Sequence, residues 1–124
     1  MNRARLIQGS SCLLAGAAVV LGAFGAHALE GRITPEAIGW YETGANYHFS
    51  HALGLWLAGD AVRTGRRGGI PALFFCLGIV FFSGSLYAMA LTGEKWLGAV
   101  TPIGGLCFIA GWALLARSVF FAKH

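Results

Sequence analysis

Polar side chains that could bind a metal ion or carry a proton are concentrated in one short stretch of the chain. His48 and His51 are three residues apart, and Tyr47 and His51 are four apart. Residues at these spacings share one face of a helix, and histidine both titrates near neutral pH and ligates metals. The stretch therefore predicts a polar cluster, which His27 and Tyr87 could join from neighbouring helices. The candidates are His27, Glu42, Asn46, Tyr47, His48, His51 and Tyr87.

The residue types alone leave three interpretations of this cluster open. In the first, the polar groups hydrogen-bond one another and nearby carbonyls, and so fix one helix within a bundle. In the second, His27, His48 and His51 ligate a metal ion or haem, although no H-E-x-x-H, C-x-x-C or C-x-x-C-H pattern accompanies them. In the third, the histidines move protons or a small polar solute. On balance we predict neither a metal ion nor another cofactor.

The composition predicts that membrane-spanning helices position these residues. The chain has 124 residues, 56% of them apolar and only 11% charged, whereas a soluble domain is about 25% charged. This argues against a soluble domain, a disordered protein and a nucleic-acid-binding module. Four stretches without charge approach or exceed the length of about 20 residues that a spanning helix needs. We therefore predict an all-α, four-transmembrane-helix bundle in a single domain over 1–124, with helices at roughly 6–28, 40–62, 70–91 and 98–120.

The basic residues predict how this bundle is oriented. Arg32 and Lys95 lie in the first and third loops, whereas the other basic residues lie near the two termini and in the middle loop. Because cytoplasmic segments carry the excess of lysine and arginine, we expect both termini and the middle loop in the cytoplasm. Ala26-His27-Ala28 also resembles a signal-peptide cleavage site, and cleavage there would remove the first helix without changing this orientation.

The depth of the histidines predicts which way they point. His48 and His51 lie roughly 12–17 Å inward from Trp40 at helical rise, so His51 approaches the middle of the membrane. Ionisable residues at such depth usually face the interior of a bundle. We expect His27 and His51 to point inward rather than at lipid.

The first and third predicted helices resemble each other when the chain is compared with itself. The matching small residues predict two related helical hairpins that form a parallel repeat. Small residues four apart let two helices approach closely in lipid, so we predict that the first and third helices cross where these residues lie. The four packing residues are Gly22, Ala26, Gly84 and Ala88.

Several motifs, in this order, resemble those of a known family. They are Gly22-Ala-Phe-Gly-Ala-His-Ala-Leu29, His51-Ala-Leu53, Phe82-Ser-Gly-Ser-Leu-Tyr87 and Thr101-Pro-Ile-Gly-Gly105. Over nearly the whole chain they resemble domain-of-unknown-function family 423, a group of small bacterial membrane proteins to which eukaryotic transmembrane protein 256 is similar. The resemblance implies a multi-pass protein of the bacterial inner membrane that retains its first span and has no established activity.

Position by position, the family pattern supports His27, Tyr47 and His51. At the position of His48 the family more often has glutamine, which weakens the case for a histidine pair that binds metal. At position 28, where this chain has Ala28, the family often has glycine.

These observations predict a protein without catalytic activity, because no nucleophile–base pair, phosphate loop or carboxylate dyad is present in the sequence. We expect a structural or accessory protein embedded in the lipid bilayer, as a homo-oligomer or in a larger membrane complex, with no nucleic-acid partner. The first alternative is a small oligomeric transporter or channel for protons or a small polar solute that uses His27, Glu42, Tyr47 and His51. The second is a redox subunit that binds haem or quinone.

Overall fold

The computed structural model describes residues 1–123, which form four main helices, and the prediction of an all-α protein is confirmed. Three of these helical segments are long and apolar enough to cross a membrane, and they cover Arg3–Ala28, Gly69–Thr92 and Lys95–Phe120. The last of them begins with a 3-10 turn at Lys95–Ala99. The helices are α1 (Arg3–Ala28), α2 (Pro35–Arg63), α3 (Gly69–Thr92) and α4 (Thr101–Phe120).

The start of α2 differs most from the prediction. The helix begins at Pro35 rather than near position 40. The Thr34 hydroxyl caps the helix by accepting a hydrogen bond of 3.1 Å from the backbone nitrogen of Ala37. Proline suits the first helical position because its fixed φ is helical and its missing N–H would have no partner there. The charges of Glu36 and Glu42 end the apolar stretch of the sequence, but they do not end the helix.

The bundle is built around α2, which packs against both α1 and α3 and also touches α4. Helix α4 packs mainly on α3. Where α2, α3 and α4 meet, apolar side chains such as Leu55 and Phe108 form a core around the fully buried ring of Phe75. At one end of α2, Arg63 and Asp60 form an ion pair of 2.6 Å.

Helix α1 contacts α2 through a face made of small residues. Its buried residues are spaced seven apart, which is about two helical turns, and they are Ala4, Ser11, Ala18 and Gly25. At Gly25 the two helices approach so closely that a Cβ atom would collide with the ring of Tyr41. The close approach of α1 is therefore to α2.

The predicted crossing of the first and third helices is wrong. A Cβ atom on Gly22 would meet nothing within 4 Å, and one on Gly84 would meet only the Ile79 carbonyl of its own helix, at 3.9 Å. Ala26 is exposed and Ala88 is half-buried. The physical reason is that α2 lies between the two helices and takes up the packing surface of both.

Helix α3 contains a widened turn that the sequence pattern does not predict. Its segment Ile79–Ser83 is π-helical, and the Gly84 N–H bonds to the Ile79 carbonyl five residues back. The neighbouring helices leave room for this turn through glycines on both sides. A Cβ atom on Gly44 of α2 would lie 3.3 Å from the Ser83 carbonyl, and one on Gly104 of α4 would collide with the backbone nitrogen of Phe82.

Candidate functional site

His51 lies at the centre of the candidate site, and both of its ring nitrogens are hydrogen-bonded. The indole N–H of Trp112 in α4 donates to Nε2 over 3.0 Å. Because an indole only donates, Nε2 must accept, and the proton of the neutral ring is on Nδ1. Nδ1 then donates over 2.8 Å to the Tyr47 carbonyl one turn earlier in α2. Only 6% of His51 is exposed, so this ring ties α2 to α4 inside the bundle.

Aromatic rings enclose the His51 imidazole on several sides. The Phe108 ring stacks on it with a centroid distance of 3.6 Å and an interplanar angle of 16°. The ring of the fully buried Phe75 lies at 5.8 Å. Tyr47 and Trp112, which are 45% and 40% exposed, border it on the outer side. The imidazole therefore lies in an apolar environment in which its hydrogen bonds are stronger than they would be in water.

A second histidine site joins α2 to α3 one turn away. Nδ1 of His48 and the hydroxyl of Tyr87 are hydrogen-bonded at 2.9 Å. The Tyr87 ring also packs on Tyr41 with a centroid distance of 5.1 Å, and the Tyr41 hydroxyl donates over 2.6 Å to the Leu21 carbonyl of α1. This chain of aromatic residues connects three helices through α2.

The His48 site is less completely hydrogen-bonded than the His51 site. Among residues 1–123, two buried side-chain polar atoms have no hydrogen-bond partner, and they are Nε2 of His48 and the Ser83 hydroxyl. The Ser83 hydroxyl belongs to the interface between α2 and the widened turn of α3, where Gly44 faces Ser83. The His48 ring, in contrast, also lies near the Leu14 carbonyl of α1. Buried polar atoms without partners are uncommon in proteins, so these two positions differ from the fully bonded His51.

The other predicted members of the cluster point outward. Glu42 and Asn46 are exposed on the side of α2 opposite the two histidines. His27 is also exposed, so the prediction that it points into the bundle is wrong. Its position explains this, since it follows the buried Gly25 by two residues and thus lies about 200° further around α1.

Three residues that complete the site were not predicted from the sequence. Trp112 supplies the N–H that His51 accepts, and Phe108 stacks on the same ring. The buried Ser11 hydroxyl donates over 2.6 Å to the Ala52 carbonyl and so ties α1 to α2. One feature could have identified Trp112, because it lies inside α4, whereas interfacial tryptophans lie near helix ends.

The donor set offers little for a metal ion. Within residues 1–123, no group of three or more histidine, cysteine or carboxylate side chains lies close enough to hold one. One ring nitrogen of His48 and both ring nitrogens of His51 are already hydrogen-bonded inside the bundle. The arrangement is therefore better suited to holding helices together than to coordinating a ligand.

The comparison with known proteins covers most of this site. A family model described as a protein of unknown function (DUF423) matches residues 21–105. The chain belongs to the DUF423 family. The resemblance predicted from the motifs is thereby confirmed, and the matched region contains both buried histidines and Tyr87. Trp112 lies beyond it.

Relatives of the DUF423 protein cover most of its length. The UPF0382 membrane protein of Staphylococcus haemolyticus is 45% identical over 93% of each chain. The UPF0382 membrane protein YwdK of Bacillus subtilis is 44% identical over 79% of this chain and 82% of its own. The UPF0382 inner membrane protein YgdD of Escherichia coli K12 is 45% identical over 78% of this chain and 76% of its own. No solved structure matches the chain.

Proposed function

We propose that this DUF423 protein is a multi-pass protein of the bacterial inner membrane with a structural or accessory role and no catalytic activity. The observation that carries the proposal is that both ring nitrogens of His51 are bonded within the bundle. A ligand could use this imidazole only after a bond to Trp112 or Tyr47 had broken. The buried polar groups therefore serve to join helices.

We further propose that all four helices cross the membrane, with both termini in the cytoplasm. Helix α2 has 29 residues, or about 43 Å at helical rise, which exceeds the hydrocarbon thickness of about 30 Å. Its most polar buried side chains, His48 and His51, face other helices instead of lipid. The excess of basic residues near the termini and the α2–α3 loop supports this orientation. The inner membrane is supported by the Escherichia coli relative, which is named an inner membrane protein.

One observation favours a second candidate function, a small oligomeric transporter or channel. Glu42, Asn46 and Ser50 follow one another at a spacing of four along the exposed face of α2. Polar side chains in a membrane-spanning segment usually face a bundle interior or a water-filled cavity. An oligomer that turned this face toward a common axis would line that axis with a carboxylate, an amide and a hydroxyl.

Proteoliposomes distinguish the two candidates. The purified protein would be reconstituted with a pH-sensitive dye inside the vesicles, and proton influx would be compared with that of protein-free vesicles. The structural role predicts equal rates for both. A faster rate that Asn46→Leu abolishes, while the exposed control His27→Ala does not, would overturn the structural role in favour of the channel.

A further inference from the structure

A cavity of about 560 Å³ lies at the end of the bundle that holds both termini. The α2–α3 loop, the start of α3 and the end of α4 form its walls. Four cationic side chains line it, and they are Arg66, Arg67, Arg117 and Lys123. Its volume is within the range of about 300–1,000 Å³ that is typical of sites for small ligands.

Within residues 1–123, these cations have no acidic side chain as a partner in the cavity wall. No aspartate or glutamate lines the cavity among residues 1–123. Four of the five acidic side chains of the protein lie near the opposite end of the bundle, at Glu30, Glu36, Glu42 and Glu94. The fifth, Asp60, is bound by Arg63 at 2.6 Å. The cavity wall therefore carries positive charge that a bound anion would neutralise.

The loop that carries two of these cations has a fixed conformation. Gly65 has a φ of 79°, and the next residue, Arg66, donates its backbone N–H to the Ala61 carbonyl over 2.7 Å. The Arg66 guanidinium donates to the Thr64 hydroxyl over 3.0 Å. Gly68 lies so close to α2 that a Cβ atom would collide with the Ala58 carbonyl. The loop backbone and the Arg66 side chain are thus held in place before any ligand binds.

Apolar side chains form another part of the cavity wall, which is open to the surroundings. Ile70 and Phe121 line it and are 60% and 78% exposed. A guanidinium binds phosphate oxygens through parallel hydrogen bonds, whereas exposed apolar side chains favour contact with hydrocarbon. Both features together fit a molecule that has a phosphate at one end and an acyl chain at the other.

We propose that this cavity binds the headgroup of an anionic phospholipid from the leaflet that this end of the bundle meets. Arg67 and Arg117, from the loop and from α4, hold the phosphate, and Ile70 and Phe121 contact the upper part of an acyl chain. Basic pockets between membrane helices bind anionic headgroups by this combination of charge and location. The proposal does not depend on the structural role of His51.

The test measures lipid binding to the delipidated full-length protein by native mass spectrometry, with phosphatidylglycerol titrated against phosphatidylcholine. The double variant Arg67→Gln/Arg117→Gln removes two charges from the cavity at exposed positions, so the bundle should remain folded. The control Arg5→Gln/Arg63→Gln removes two charges from the same end but outside the cavity wall. We expect the cavity variant to weaken phosphatidylglycerol binding at least about tenfold and the control to change it less than threefold.

Three results would overturn the proposal. Equal losses in the two double variants would show general electrostatic attraction without a site. Equal binding of the two lipids would show that the cavity does not select lipids by the charge of their headgroups. Displacement of the lipid by millimolar inorganic phosphate, with no effect of Phe121→Ser, would assign the cavity to a free phosphate instead of a lipid. Thermal unfolding of each variant in neutral lipid identifies any loss of folding.

Discussion

Polar residues on the two faces of α2 have opposite environments. On the inward face, His48 and His51 are bonded to Tyr87 of α3 and Trp112 of α4. On the outward face, Glu42 and Asn46 are exposed beyond the reach of the other three helices. The inward polar groups join helices of this chain, whereas the outward ones are open to the surroundings.

This difference explains how so polar a helix can lie at the centre of the bundle. Average hydropathy counts every residue of α2 equally, although lipid would meet only one of its faces. Glycines on the inward face, such as Gly44 and Gly54, let rings from α3 and α4 approach to 3.2 Å from the position of a Cβ atom. The histidines are thereby surrounded by aromatic side chains, so lipid does not solvate them.

The largest expected effect comes from adding bulk to each face of α2 in turn. Gly44→Leu would drive a side chain into Tyr87, Leu86 and the Ser83 carbonyl, and we expect a loss of about 3 kcal/mol in the free energy of unfolding. Gly39→Leu is the matched control, since a Cβ atom there meets nothing within 4 Å. Titration with SDS in mixed micelles measures both, and equal losses would remove the distinction between the faces.

The second-largest effect on the free energy of unfolding is expected from replacing the buried His51, with the exposed His27 as the comparison. His51→Ala removes a stacked ring and leaves the Trp112 N–H without its acceptor, so we expect a loss of about 2–3 kcal/mol. His27→Ala removes an exposed side chain and should change the unfolding free energy by less than about 0.5 kcal/mol. The same titration compares the two variants, and a larger loss for His27→Ala would contradict the assigned orientations.

The smallest effect on unfolding is expected on the outward face, where association should change instead. An asparagine amide both donates and accepts, so a second copy of the same face can satisfy Asn46. Asn46→Leu should leave the unfolding free energy nearly unchanged but weaken self-association by about 1 kcal/mol, or roughly fivefold. Energy transfer between labelled chains in liposomes measures this, with Leu53→Ala as the control on the same face. Unchanged association would mean that Asn46 does not form a self-contact.

Much of the helical fold follows from the positions of the charges. The four charge-poor stretches overlap all four helices, because a peptide group in hydrocarbon must be bonded within its own segment. The widened turn at Ile79–Ser83 could not be predicted, since it depends on room that Gly44 and Gly104 leave on neighbouring helices. The charge pattern predicted that α2 starts later than it does, because the charged residue Glu36 lies inside the helix.

The site was predictable only in part. Helical spacing predicted that Tyr47 and His51 share one face of α2, and their rings lie 5.8 Å apart. Residue spacing does not predict which face of a helix is buried when small residues form the buried face. Helix α1 is the example, because it buries Ala18 and Gly25 and exposes His27. The pairing of residues distant in sequence, such as His51 with Trp112, follows only from the packed structure.

The most direct test of the central claim is a double-mutant cycle between His51 and Trp112, with unfolding free energies measured in bicelles for His51→Phe, Trp112→Phe and the double variant. Phenylalanine at position 51 preserves a ring against Phe108 while removing the acceptor. If the bond joins α2 to α4, the loss of unfolding free energy in the double variant will be smaller than the sum of the two single losses by about 1 kcal/mol. Fully additive losses would show that the two side chains are not coupled and would contradict a structural role for His51.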